Sequence, residues 1–214
     1  MEKTKQILSG LDRLFPSPKC ELNYKSAYEL LVAVILSAQC TDKRVNMVVE
    51  ELFKQYNTPE RMLTLSQEEL EEKIHSCGFY HNKAKNILSM SKDLIERFGG
   101  EVPSNPEDLQ TLAGVGRKTA NVVIGEYFKG DAIAVDTHVL RVSNRLGLVK
   151  TDNPLKCEQA LNKLFDKKDW SKLHLQLVLF GRYVCKSQNP QCEKCPFYNI
   201  CVSKDKKKLL NFAD

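Results

Sequence analysis

The sequence predicts an all-α protein, and three observations carry that prediction. Ser26, Ser66 and Ser104 each stand three residues before a glutamate (Glu29, Glu69, Glu107), the reciprocal capping pattern, while Thr58-Pro59, Asn105-Pro106 and Asn153-Pro154 put proline just inside a helix start. Helix stops are marked at Gly78, Gly99-Gly100, Gly130 and Gly147. Between starts and stops, apolar residues recur at three- and four-residue intervals, as in Ile87, Met90, Leu94 and Ile95 or in Leu173, Leu177 and Phe180. The one strand-like stretch, Ala132 to Val135, is too short to found a sheet without partners and reads as an extended linker.

The elements follow in order. Met1 to Phe15 mixes charges into an amphipathic pattern and lacks the apolar segment of a secretory signal. The helix after Ser26 carries the longest apolar run, Leu30 to Leu36, far short of a membrane span. Helices then start at Pro59, after Ser66, through Ile87 to Ile95, and after Ser104. Another runs from Arg117 to Phe128, and one from Thr137 to Leu146 with Asp136 placed to cap it. The last two begin at Pro154 and span Leu173 to Phe180, for about ten in all.

A chain of 214 residues makes one compact body or two small lobes. Its net charge of +5 permits nucleic-acid binding without requiring it. Lys83, Lys85, Arg117, Lys118, Arg141 and Arg145 dot the helices, and Lys204-Asp205-Lys206-Lys207-Lys208 forms a basic tail of the kind that more often solubilises than binds. A cytoplasmic protein without membrane contact is expected. In such a compartment eight cysteines argue for metal ligation or free thiols rather than a disulfide scaffold.

The most telling stretch is Leu112-Ala113-Gly114-Val115-Gly116-Arg117-Lys118-Thr119-Ala120, followed one helix later by Ala134-Val135-Asp136-Thr137-His138. Two glycines one residue apart allow a tight turn and a close backbone approach, and the following helix aims its first amides at that turn, a place for a phosphate. The same pattern also serves as a plain inter-helix turn. Lys118 lies in the first helical turn, where the dipole and Arg117 favour a neutral, nucleophilic amine; alternatively it is a solvated surface lysine. Asp136 reads either as a helix cap or as a carboxylate that takes a proton or holds down positive charge on a substrate. His138 reads as a first-turn helix residue, with a bond near that carboxylate as the alternative.

The cysteines form two groups. Cys20, Cys40, Cys77 and Cys157 are scattered and read as small core residues. Cys185, Cys192, Cys195 and Cys201 form a Cys-x6-Cys-x2-Cys-x5-Cys array in a segment with Pro190 and Pro196. Four thiolates in so short a span point to one metal centre, and spacing alone leaves zinc and an iron–sulfur cluster open.

On these residues the chain resembles the endonuclease III family of helix-hairpin-helix base-excision-repair glycosylases. The resemblance runs from Glu21-Leu22-Asn23 and Leu36-Ser37-Ala38-Gln39 through Glu101-Val102-Pro103 and the Gly114–Gly116 hairpin to Arg182-Tyr183-x-Cys185 and the array. It implies that Lys118 is the nucleophile, that Asp136 is the essential carboxylate, and that the four cysteines hold a [4Fe–4S] cluster. Lysine at 118, and an end at Asp214 soon after the array, are expected of the bifunctional glycosylase and lyase branch. The implied fold has two helical lobes flanking a DNA-binding cleft: a six-helix barrel over 21–131 ending in the hairpin, and a cluster lobe from 1–20 with 132–214.

The resemblance also implies a substrate and a course of reaction. The partner is duplex DNA carrying oxidised pyrimidines or abasic sites, met by a monomer that associates with the nucleoid. The damaged nucleotide is extruded from the stack, with Gln39 filling the vacated space and Phe79 wedging into the duplex. On their own, the alternative readings are a helix-end polar residue for Gln39 and a core aromatic for Phe79. Gly114, Val115 and Gly116 hold a phosphate, and the cluster staples a loop whose Lys186 and Lys194 meet others. Two rivals are a non-catalytic DNA binder, which needs neither Lys118 nor Asp136, and an iron–sulfur electron carrier, which does not explain the hairpin.

Overall fold

The structure is a computed structural model that describes residues 2–206, and all regular elements among them are helical. The α-helices are α1 (Glu2–Leu14), α2 (Ala27–Ser37), α3 (Asp42–Leu52), α4 (Pro59–Met62), α5 (Gln67–Ile74), α6 (Tyr80–Phe98), α7 (Pro106–Leu109), α8 (Arg117–Glu126), α9 (Thr137–Arg145), α10 (Pro154–Leu164) and α11 (Trp170–Tyr183). Short 3-10 turns occupy His75–Cys77, Lys167–Asp169, Cys192–Lys194 and Tyr198–Ile200. The chain divides into two units, Cys20–Gly130 and Met1–Lys19 with Asp131–Asp214. No helix among the described residues is long and apolar enough to cross a membrane. Lys207 and Lys208 of the basic tail lie outside the described residues.

In the unit Cys20–Gly130, α2 is the central element. Every residue from Tyr28 to Leu36 is buried, so this helix is covered on all sides, as its unbroken apolar run requires. It packs on α3, α6 and α8, while α4 and α5 lie on α6. The Tyr28 hydroxyl meets Ser91 Oγ at 2.7 Å, which satisfies the polar end of a buried ring.

Its helix starts and stops match the sequence in part. Ser66 and Glu69 form the complete reciprocal box, and Ser26 accepts from the Glu29 amide. Ser104 does not cap: Asn105 does, accepting from the Asp108 amide at 2.8 Å, because Pro106 fixes the first helical position and so assigns the cap to its predecessor. The helix from Arg117 stops at Glu126, short of Phe128, and the left-handed residue beyond it is Lys129 (φ +56°), not Gly130. Helix α3, capped by Thr41, lacks a glutamate at the third position and went unmarked in the sequence. Ile95, placed on the apolar stripe, is exposed, because the stripe of α6 runs through Ala84, Ile87, Met90 and Leu94.

In the other unit, α11 packs on α9 and α1, and the core joins Ile7 and Leu11 to Val139, Val142, Leu161, Leu173, Leu177 and Phe180. Phe197, from the cysteine segment, is buried in the same core. It meets Phe180 edge-on, with centroids 5.2 Å apart at 67°, and a Cβ at Gly10 would fall 2.3 Å from its ring. Glycine on α1 thus lets this aromatic anchor the segment. Residues 132–135 are buried without regular secondary structure. Cys77 and Cys157 are core residues as expected, whereas Cys20 and Cys40 are only half-buried, both lying in connections rather than on packed helix faces.

Candidate functional site

The hairpin is built as the glycines require. Gly114 sits at φ +76°, and a Cβ there would come within 3.0 Å of Asn86 Cβ, so both backbone conformation and space demand glycine. Val115 turns inward and is buried, donating its amide to Leu112 O at 3.1 Å. Gly116 is the N-cap of α8 and offers no side-chain cap, which leaves the helix start open toward an anion. Arg117 and Lys118 follow on that first turn, both exposed. Gly114→Ala is expected to cost about 1–2 kcal/mol from the left-handed conformation alone. The check is thermal unfolding, where a shift of roughly 2–8 °C is the corresponding scale, together with weakened binding to any DNA.

Asp136 caps α9, its Oδ1 accepting from the Val139 amide at 2.8 Å. The capping role is therefore real, and it fixes the carboxylate in a partly buried position. His138 lies in the first turn of α9 with its Nδ1 3.2 Å from the Arg141 guanidinium. Burial lowers its pKa, opposed by the charge of Asp136.

Gln39 and Phe79 are both exposed loop residues in the left-handed region, at φ +53° and +49°. Phe79 is 66% exposed, which overturns its reading as a core aromatic. It follows Gly78 (φ +58°) and opens α6 without a side-chain cap. Left-handed conformations in non-glycine residues cost energy and persist where the surroundings enforce them.

The four clustered cysteines line one pocket together with Arg145 and Phe180, and all are free thiols. Burial pushes the Cys185 thiol pKa up, opposed by a hydrogen bond from Arg145. Cys195 is pushed up to about 11, first by burial, with a main-chain bond from Phe197 opposing and the nearby Cys185, Cys201 and Cys192 adding to the rise. Four thiols this close repel one another as thiolates, a cost that a bound cationic centre relieves. Among the described residues no three carboxylate, imidazole or thiol groups converge on a single ion. Four cysteines lining one pocket are a donor set that fits a thiolate-ligated metal centre. Lys186 and Lys194 are exposed on the same segment.

A model of the HhH-GPD superfamily of base excision DNA repair proteins matches residues 32–167. The chain is 49% identical to endonuclease III of Bacillus subtilis (strain 168), over 98% of this chain and 99% of that protein. It is 45% identical to the Haemophilus influenzae endonuclease III, over 96% and 99%. The chain belongs to the endonuclease III family. Among solved structures it resembles a non-covalent endonuclease III–DNA complex, with a TM-score of 0.91 and 46% identity over 94% of both chains. It also resembles a trapped endonuclease III–DNA covalent intermediate, with a TM-score of 0.89 and 48% identity over 92% of this chain and 95% of that one.

Within this endonuclease III framework three of the basic residues counted as helix-surface charge are structural instead. Lys83 is buried, and its ammonium donates to Leu36 O and Ala38 O at 2.8 Å and to Cys77 O at 2.6 Å. Arg141 donates to Gly181 O at 2.8 Å and to Cys185 O at 3.1 Å. Arg145 reaches Lys186 O at 2.6 Å, Ser187 O at 3.2 Å, Asp205 Oδ2 at 3.1 Å and Cys185 Sγ at 3.6 Å. Lys85, Arg117 and Lys118 stay exposed. The overlooked signal was periodicity: Lys83 falls on the stripe of Ile87, Met90 and Leu94, and His138, Arg141 and Arg145 form a second stripe on α9.

Proposed function

We propose that this protein excises oxidised pyrimidines from duplex DNA and nicks the strand 3′ of the abasic site through an imine on Lys118. The observation that carries the reading is an exposed lysine in the first turn of a helix whose start is turned by a left-handed glycine and has no side-chain cap. That start offers amides to a phosphate while the amine stands beside it. The unit Cys20–Gly130 is assigned as the barrel with its hairpin, and the remainder as the cluster-bearing domain.

The Lys118 Nζ lone pair attacks C1′ of the sugar, and the C1′–N bond breaks with its electron pair leaving on the base, which is protonated. Nitrogen then gives up one proton, and the C1′–ring oxygen bond opens with a proton going to that oxygen, leaving a protonated imine. Removal of a C2′ proton sends electrons toward that cation and expels the 3′ phosphate, and water releases the enzyme. Asp136 is assigned to accept the lysine's proton and to stabilise cationic character at C1′. Gln39 and Phe79 occupy the space left by the extruded nucleotide. Cys185, Cys192, Cys195 and Cys201 would hold a [4Fe–4S] cluster, whose contribution when bound is to order the segment presenting Lys186 and Lys194 to phosphates.

Borohydride trapping on abasic duplex DNA tests the reading directly. A covalent adduct on Lys118 is expected, whereas a non-catalytic DNA binder or an electron carrier yields none. Asp136→Asn is expected to lower base excision strongly while unfolding stays near wild type, because asparagine also caps. Asp136→Ala should add a loss of about 0.5–2 kcal/mol. A large loss of stability in the asparagine variant would return Asp136 to a purely capping role.

A further inference from the structure

The two loops that carry Gln39 and Phe79 come from distant parts of the sequence, one after α2 and one before α6, yet a single side chain spans them. Lys83 is 5% exposed. Its ammonium has three protons and donates to three main-chain carbonyls: Leu36 and Ala38 just before Gln39, and Cys77 two residues before Phe79. Cys40 adds a bond from its amide to Ser37 O at 3.1 Å, and the Lys83 amide itself returns to Phe79 O at 3.2 Å. Both Gln39 and Phe79 hold left-handed backbone that must be enforced from outside.

We propose that Lys83 is a positioning residue for base extrusion, bracing the Gln39 and Phe79 loops against each other so that both side chains enter the duplex as one rigid pair. The inference rests on the assignment of those two residues to the vacated space. A lysine suits the task because its compact ammonium satisfies three divergent acceptors, which the planar fork of arginine does not match. Surface charge plays no part in it, since the side chain is spent on carbonyls. Loss of the brace frees two loops at once, so the entropy of ordering them falls on the step in which DNA is opened rather than on the chemistry at Lys118.

The test compares single-turnover rates of one full-length protein on two substrates, a lesion paired in duplex and an abasic site in single-stranded DNA that needs no extrusion. Both rates come from the same sample, so a reduced folded fraction cancels from their ratio. Lys83→Met, which keeps the apolar stem, is expected to lower the duplex rate relative to the single-strand rate by about tenfold to a hundredfold, the range that loss of one stacked aromatic gives. Lys83→Arg should fall between it and wild type. In a Gln39→Ala, Phe79→Ala background, Lys83→Met should add no more than about twofold, because the braced groups are already gone. Equal loss on both substrates, or full additivity in the triple variant, overturns the bracing role. If Lys83→Met melts below the assay temperature, the same ratio measured on Lys83→Arg decides. If Gln39→Ala and Phe79→Ala leave the duplex rate at wild type, the insertion assignment falls; if they lower it and Lys83 variants do not, only the brace falls.

Discussion

Lys118→Gln is expected to remove strand nicking and the borohydride-trapped adduct while retaining affinity for abasic duplex DNA. In the proposed mechanism the amine is the group that changes bonding, whereas the hairpin's main-chain amides survive the substitution unchanged. Loss of a covalent nucleophile lowers turnover by roughly 10⁴-fold or more, and the isosteric amide leaves the exposed first turn of α8 otherwise intact. Binding measured by anisotropy on a reduced abasic duplex, alongside trapping yield, separates the two effects. A wild-type adduct on this variant would move the nucleophile to another residue, and loss of binding in step with loss of nicking would make Lys118 a phosphate contact.

Cys195→Ala is expected to abolish the broad visible absorption of a thiolate-ligated iron–sulfur centre and to release the iron. The helical core should persist, because Phe197 is packed against Gly10 and Phe180. Duplex affinity should fall with a distinctive salt signature: if Lys186 and Lys194 each meet a phosphate, the slope of log K against log salt decreases in magnitude by about 2. Iron analysis, visible spectra and titrations at several salt concentrations check each part. Stoichiometric zinc without iron in wild-type protein prepared without air would replace the cluster assignment, and an unchanged salt slope would remove the two lysines from the interface.

Much of this was legible because helix ends are local. The Ser66–Glu69 box, the prolines at Pro59, Pro106 and Pro154, and the requirement for glycine at 114 depend on residues a few positions apart. Ser104 was misread for an equally local reason, the proline two residues on, which hands the cap to Asn105. What escaped were Lys83, Arg141 and Arg145, because these acceptors are carbonyls delivered by segments far away in sequence. Counting positive charges cannot tell a phosphate-facing lysine from one that closes a carbonyl cage. The exposure of Phe79 was similarly hidden: Gly78 announces a turn, but two successive left-handed residues that push the ring outward are a tertiary outcome.

Arg145 holds the cysteine segment at both of its ends. Its guanidinium grips Lys186 and Ser187 at one end of that segment, while its own carbonyl accepts the Val202 amide at 3.0 Å and the Cys201 thiol at 3.3 Å at the other. One residue at the close of α9 therefore ties both ends of the segment together. The loop-closure entropy of the cysteine segment is met in part by these hydrogen bonds. Replacing Arg145 should therefore loosen the segment as a whole rather than from one end.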